Sequence, residues 1–165
     1  MKRIGLLSDT HSYIDDRIIE FLQSCDEIWH AGDIGTIELL SALEKMKPVK
    51  AVFGNIDGQP LRSALPEIQR FMCEETDVLI KHIGGYPDHY DRSISEVIKI
   101  NPPDLFISGH SHILKVIYDK KYQLLHINPG AAGKYGLHKI RTLIRFSIEV
   151  KKITDLEVIE LGNRS

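Results

Sequence analysis

From Arg3 to Phe53, short apolar, β-branched runs alternate with segments whose apolar residues recur at helical spacing, and this alternation constrains the fold more than any other feature. Arg3 to Leu7 is predicted as a strand. Asp15 and Asp16 cap a predicted helix carrying Ile18, Ile19 and Leu22. Glu27 to Ala31 comes next as a strand, Thr36 to Met46 as a helix, and Val49 to Phe53, opened by Pro48, as a third strand. Such a βαβαβ succession is the start of a doubly wound sheet. Ile68 to Cys73 and Val78 to His82 are further strands, and Arg92 to Ile100 is a helix stopped by Pro102 and Pro103. Leu105 to Ser108 reads as a buried strand. Beyond it the helical period disappears, and Leu114 to Tyr118, Tyr122 to Ile127, Ile140 to Val150 and Leu156 to Leu161 read as strands joined by short polar turns. A parallel half succeeded by an antiparallel half predicts two packed sheets flanked by helices.

A chain of 165 residues has room for one such domain, over residues 1–165. With 42% hydrophobic and 27% charged residues it has the composition of an ordinary globular protein, which excludes disorder. Twenty-one Lys plus Arg against twenty-three Asp plus Glu leave a net charge of −2, so there is no strong nucleic-acid signal and no support for binding acidic membranes. The apolar stretch in MKRIGLLSD is too short for a signal peptide, and no run approaches the ~20 apolar residues of a membrane span. Cys25 and Cys73 form neither a CxxC pair nor a disulfide framework. The expectation is a cytoplasmic protein. A homo-oligomer is compatible with the sequence, which does not set the oligomeric state.

The residues just past the predicted strands are chemically distinctive. IGLL leads into Ser8-Asp9-Thr10-His11, EIWHA into Gly32-Asp33, VKAVF into Gly54-Asn55, DVLIK into His82, and DLFIS into Gly109-His110-Ser111-His112. In open α/β sheets the carboxyl ends of strands line the functional crevice, so these residues are expected to converge. Asp9 and His11 sit two apart, as do His110 and His112, a spacing that aims both side chains one way at a strand end. Gly32, Gly54 and Gly109 are expected to take the backbone angles of sharp turns toward an ion. The set Asp9, His11, Asp33, Asn55, His82, His110 and His112 is too large for one ion that keeps an open position. Two ions bridged by a carboxylate would use it in full, and a pair roughly 3.5–4 Å apart clamps a phosphoryl group for in-line attack. Oxygen and imidazole without thiolate suit two divalent metal ions, Mn²⁺ first, with Ni²⁺, Fe or Zn²⁺ acceptable.

D-x-H, GD, GN, H and GH-S-H, in this order and at these strand ends, resemble the calcineurin-like metallophosphoesterase superfamily, and the short length resembles its small bacterial phosphodiesterase branch. The resemblance runs from Ile4 to about Asn128 and includes Asn128-Pro129-Gly130. It implies an α/β fold, a four-layer α/β/β/α sandwich of two mixed sheets flanked by helices. It also implies Asp9, His11 and His112 on one metal, Asn55, His82 and His110 on the other, and Asp33 between them. The activity it implies is hydrolysis of a small phosphoester, more a diester than a monoester, by a metal-bound hydroxide, with Asn55 helping to stabilise phosphoryl charge. Two positions depart from the family pattern. Ile56 stands where many relatives carry a leaving-group histidine, which turns attention to Asp57 as an orienting or acid/base group. Ile83-Gly84-Gly85 replaces a common continuation of the His82 motif, and His89 in the loop from Gly84 to Asp91 is the candidate to act toward substrate in its place.

Singly, Asp9-Thr10, Gly32-Asp33 and Gly54-Asn55 are ordinary turn or cap signals. Turn formation does not call for histidine at positions 11, 82, 110 and 112, so the ensemble favours metal. His30 and His126 lie inside strands and are expected in the core or behind the ligands, and His138 is expected as a plain surface residue. Two other functions compete. A catalytically inert protein-binding scaffold on the same fold, as in the retromer scaffold subunit that resembles this family, draws support from Ile56. A metal-dependent nuclease is disfavoured by the lack of basic charge and of length for a nucleic-acid-binding domain.

Overall fold

The computed structural model describes residues 1–165. Chain order is β1 (Lys2–Leu7), α1 (Asp16–Gln23), β2 (Glu27–His30), α2 (Ile37–Met46), β3 (Val49–Ala51), α3 (Leu61–Ala64), β4 (Ile68–Cys73), β5 (Thr76–Lys81), β6 (Gly85–Tyr86) and β7 (His89–Tyr90). It continues with α4 (Arg92–Ile100), β8 (Leu105–Ile107), β9 (Lys115–Asp119), β10 (Leu124–Asn128), β11 (Ile140–Glu149) and β12 (Lys152–Asn163). One sheet runs β12-β11-β1-β2-β3 and the second β4-β5-β8-β10-β9, while β6 and β7 form a separate hairpin.

The helices start where their caps require. Asp15 accepts the Ile18 amide at 3.0 Å, Thr36 the Leu39 amide at 3.3 Å and Asp91 the Ser93 amide at 3.0 Å, each satisfying a first-turn N–H that has no partner within the helix. Strand periodicity then sorts the core. Ile4 and Leu6 of β1, with Trp29 and Phe146, pack against Ile80 and Ile107 of the second sheet, while Leu7 faces α1 and α2. On the outer face of the second sheet, Leu79, Phe106 and Leu124 bury Ile94 and Ile98 of α4. Helices, sheet, sheet and helix are therefore stacked as the four layers expected. No helix is long and apolar enough to cross a membrane.

Two expectations about topology are corrected. β1, β2 and β3 are adjacent in sequence order, and α1 and α2 pack on the same face of their sheet. The winding is thus single, because the opposite face is needed for the second sheet. Nor do the late strands form an antiparallel half of their own. β9 and β10 complete the second sheet, whereas β11 returns to pair antiparallel with β1, Lys2 opposite Ile148 and Leu6 opposite Ile144. Both sheets are mixed as a result. The hairpin β6–β7 and the single turn α3 lie in stretches that the apolar periodicity left without structure.

Candidate metal centre

The loops leaving the carboxyl ends of β1, β2, β3, β5 and β8 meet. Backbone bonds fasten them to one another, with the Asp9 amide on the Gly32 carbonyl (3.0 Å), the His11 amide on the Asp33 carbonyl (3.0 Å) and the Gly109 amide on the His82 carbonyl (2.9 Å). All seven expected ligands are brought together there. Asp9, His11 and His112 form one group and Asp33, His82 and His110 a second, the ligand atoms within each lying within 4.8 Å of one another. Asn55 joins the second group, its Oδ1 at 3.1 Å from His82 Nε2 and 3.0 Å from His110 Nδ1. Asp33 Oδ2 reaches both groups, at 3.1 Å from His82 Nε2 and 3.6 Å from His11 Nε2.

The backbone that delivers these side chains differs from the expected one. Asp9, His11, Asp33, His110 and His112 all have positive φ, between 44° and 69°. The paired D-x-H and H-x-H residues therefore converge from turns beyond the strand, not from extended backbone. Non-glycine residues in this region cost on the order of 1 kcal/mol or more each, and such strain gathers at functional sites. Of the three preceding glycines only Gly32 has positive φ (104°). Gly54 and Gly109 are needed for closeness, since a Cβ would sit 2.1 Å from Asp33 Oδ1 at the first and 2.2 Å from Ser8 Oγ at the second.

Buried polar atoms normally find hydrogen-bond partners. Here Asp9 Oδ1 and His11 Nε2 are buried and have none. Both belong to the group that gathers its ligand atoms around one point, where a bound cation would supply what the hydrogen-bond network lacks. The carboxylates are held ionised for it. Burial pushes the Asp9 carboxyl up, but the His11 and His112 rings, the His82 charge and the Ser8 hydroxyl outweigh it and leave Asp9 well below the usual carboxylate range. Burial likewise opposes Asp33, and His82 with the Ile56 amide more than offsets it. Burial lowers His82, yet Asp33 and Asp9 carry it above an ordinary imidazole.

The surrounding residues hold the ligands in place. Ser8 Oγ donates to Asp9 Oδ2 at 2.6 Å, and the His110 amide donates to the same oxygen at 3.1 Å. His30 is fully buried; its Nδ1 accepts the Gly32 amide, so Nε2 donates to Thr10 Oγ1 (3.0 Å), which donates to the Ile34 carbonyl (2.9 Å). Asn128 steadies the loop carrying His110 and His112, donating to the Gly109 carbonyl (3.0 Å) and Ser111 Oγ (3.1 Å). His126 is core, with Nδ1 on the Phe106 carbonyl at 3.1 Å.

Asp57 and His138 change meaning. Asp57 is buried, and its carboxylate accepts the amides of Ile34 (3.1 Å), Gly35 (2.9 Å) and Gly54 (2.9 Å). Those bonds make it a clamp between the Asp33 and Asn55 loops. His138 is not a plain surface residue: its Nδ1 lies 3.2 Å from His112 Nδ1. His89 lines a cleft of about 170 Å³ with Tyr86, His110, Ser111 and Lys115, its ring tilted at 48° to that of Tyr86 with centroids 5.0 Å apart. Arg62 and Lys81, with Asn55 and His82, line a neighbouring cleft of about 140 Å³. Neither cation stands out in sequence, because each looks like a solvated surface charge.

Residues 1–151 match the calcineurin-like phosphoesterase superfamily domain. The chain belongs to this superfamily. It is 30% identical, over 96% of its length and 92% of the relative's, to a probable metallophosphoesterase of Methanothermobacter thermautotrophicus. Among solved structures, an archaeal phosphodiesterase superposes with a TM-score of 0.71 at 22% identity, covering 96% of this chain and 99% of that one. Vps29 of Entamoeba histolytica in complex with Zn²⁺ superposes with a TM-score of 0.76 at 15% identity, over 99% of both chains. These likenesses agree on the two-sheet sandwich. Membership of the calcineurin-like phosphoesterases, with the two candidate ligand groups, supports a metal-dependent phosphoester hydrolase.

Proposed function

We propose that the chain is a phosphodiesterase with a dinuclear metal centre, Mn²⁺ being the first candidate metal. The observation that carries this reading is the position of Asp33 Oδ2, within 3.6 Å of a ring nitrogen from each ligand group, which suits a carboxylate shared by two ions. The ions would supply Lewis-acid charge to activate water and to neutralise the phosphoryl oxygens. Asp9, His11 and His112 would hold one, Asn55, His82 and His110 the other. Asn55, exposed in the cleft it shares with His82, Arg62 and Lys81, is placed to donate its amide toward a phosphoryl oxygen.

Preference for a diester draws on the space around the centre. One cleft opens beside Asn55 and His82, another beside His110 and Ser111, and a depression of about 340 Å³ lies over His11 and Ile56. Room on more than one side of the ligands suits a phosphorus bearing two organic arms. His89, at the wall of the His110 cleft, is the candidate to touch the leaving arm, and His89→Ala is the variant that tests it: unchanged turnover and substrate binding would remove it from the site.

The decisive assay compares bis(p-nitrophenyl) phosphate with p-nitrophenyl phosphate, using metal-stripped protein, Mn²⁺, Ni²⁺ or Zn²⁺ reconstitution, and Asp33→Asn. Metal-stimulated diester hydrolysis that disappears in the variant is expected. Absence of stimulated turnover by folded protein would favour the second reading, a binding scaffold, which draws on Ile56: this side chain is 46% exposed at the mouth and has no proton to give.

A further inference from the structure

The segment after Gly130 passes over the Asp9–His11–His112 group and touches both of its imidazoles. Tyr135 lies against the His11 ring, centroids 4.9 Å apart and planes at 36°. His138 meets His112 edge to face, with centroids 5.0 Å apart. Gly136 makes the passage possible at φ 131°, because a Cβ there would fall 2.2 Å from His112 Nδ1 and 3.1 Å from His138 Nδ1. The far end of the chain fastens the segment: Arg164 Nε donates to the His138 carbonyl at 2.9 Å, and the Arg164 amide to the Lys139 carbonyl at 3.0 Å.

Proton counting then defines the tautomers. His138 Nε2 lies 2.8 Å from the Gly133 carbonyl, which can only accept, so this nitrogen carries a hydrogen. In the neutral His138 ring Nδ1 is therefore an acceptor. Its partner at 3.2 Å, His112 Nδ1, must donate. His112 Nε2, 3.1 Å from Asp9 Oδ1 and directed into the ligand group, is then the nitrogen left to offer its lone pair to an ion bound there. A carbonyl thus selects one tautomer in His138, and His138 selects the complementary tautomer in His112.

We propose that His138 is a positioning residue that presents the His112 Nε2 lone pair to one of the two ions and not to the other. This rests on the dinuclear reading above. The second group is oriented by other means. His82 Nδ1 donates to the Ala31 carbonyl at 2.8 Å, and His110 has its Nδ1 beside Asn55. Metal-binding histidines commonly use a carboxylate, carbonyl or water behind them, and losing that partner costs about 10–100-fold in metal affinity. In this chain a second histidine fills the role, held by a glycine-dependent strap and by the penultimate residue.

The test uses the full chain, stripped of metal and titrated with Mn²⁺ by calorimetry and electron paramagnetic resonance. Wild type is expected to bind two ions. His138→Leu is expected to weaken one by about 10–100-fold and leave the other unchanged, whereas His138→Asn, whose Oδ1 can still accept from His112 Nδ1, should recover most of the loss. Long-range ¹H–¹⁵N spectra of the metal-free chain should show His112 protonated on Nδ1 in wild type and in His138→Asn, with that preference lost in His138→Leu. Two ions bound with unchanged affinity in a folded His138→Leu, or a wild-type His112 with no hydrogen on Nδ1, would overturn the proposal while leaving the phosphodiesterase reading intact. A wild-type chain that binds no ion would overturn both.

Discussion

Asp57 accepts the Gly54 amide at 2.9 Å through the same oxygen, Oδ2, that accepts the Ile34 amide at 3.1 Å, so one carboxylate ties the loop after β2 to the loop after β3. Asp57→Asn would turn an NH₂ group either toward both of these donors or toward the Gly35 amide, which bonds to Oδ1. Leaving buried amides unpaired, and removing hydrogen bonds to a charge, is expected to cost about 2–4 kcal/mol in urea unfolding. If Asp57 were instead the leaving-group acid, the variant would keep wild-type stability and lose the alkaline limb of its pH–rate profile.

Metal should stabilise the fold, because the ligand groups exist only when the five loops are assembled. Mn²⁺ at about 100 times its dissociation constant is expected to add about 2.7 kcal/mol. For a chain of this size that corresponds to roughly 5–10 °C in Tm. Calorimetry with and without chelator measures it; an unchanged Tm would contradict the metal reading.

Gly54→Ala places a methyl 2.1 Å from Asp33 Oδ1 and 2.4 Å from the Asp33 amide nitrogen, and neither the buried carboxylate nor the backbone can give way easily. The variant is expected to fold, with circular dichroism like that of wild type, and to lose metal-stimulated hydrolysis by at least about tenfold, as a misplacement of about 1 Å at a reacting site does. Wild-type turnover in Gly54→Ala would show that the contact is not needed.

Acid should weaken the metal-free chain in a defined window. Burial pushes His30 and His126 down to about 4, from 6.5. Between those values the unfolded chain binds protons that the folded chain refuses, so stability rises with pH across this window and falls as pH drops from about 6.5 toward 4, by on the order of 3 kcal/mol for each ring. His82, raised above its ordinary value, acts in the opposite sense: its contribution is full below about 6.5 and fades as pH rises further. His126→Leu is expected to remove about half of the acid-side slope in urea-melt free energies. A slope unchanged in that variant would mean that His126 titrates alike in both states.

The centre was legible in sequence because metal chemistry demands residue types that turns do not. His11, His82, His110 and His112, each just past an apolar run, needed only the general rule that strand ends converge. The residues behind them were less legible. In sequence Asp57 reads equally as an orienting or an acid/base group, and only the amides of Ile34, Gly35 and Gly54 show where its charge is used. His138 carries no local signal, since its partner is 26 residues away and the strap between β10 and β11 has no periodicity.

Sequence alone determined the strands β1 to β5 and β8 to β12, the helices α1, α2 and α4, and the identity of the candidate ligands, because hydrophobic period and ligand chemistry are local properties of the chain. Tertiary structure decided which strands share a sheet. The return of β11 to β1 rests on pairing between residues as far apart as Lys2 and Ile148, for which no short-range rule exists. It also decided how the ligands are aimed: from positive-φ turns packed around two close-approach glycines, with one imidazole held by His138 and one carboxylate by Ser8, since orientation at a buried site is set by whatever touches it.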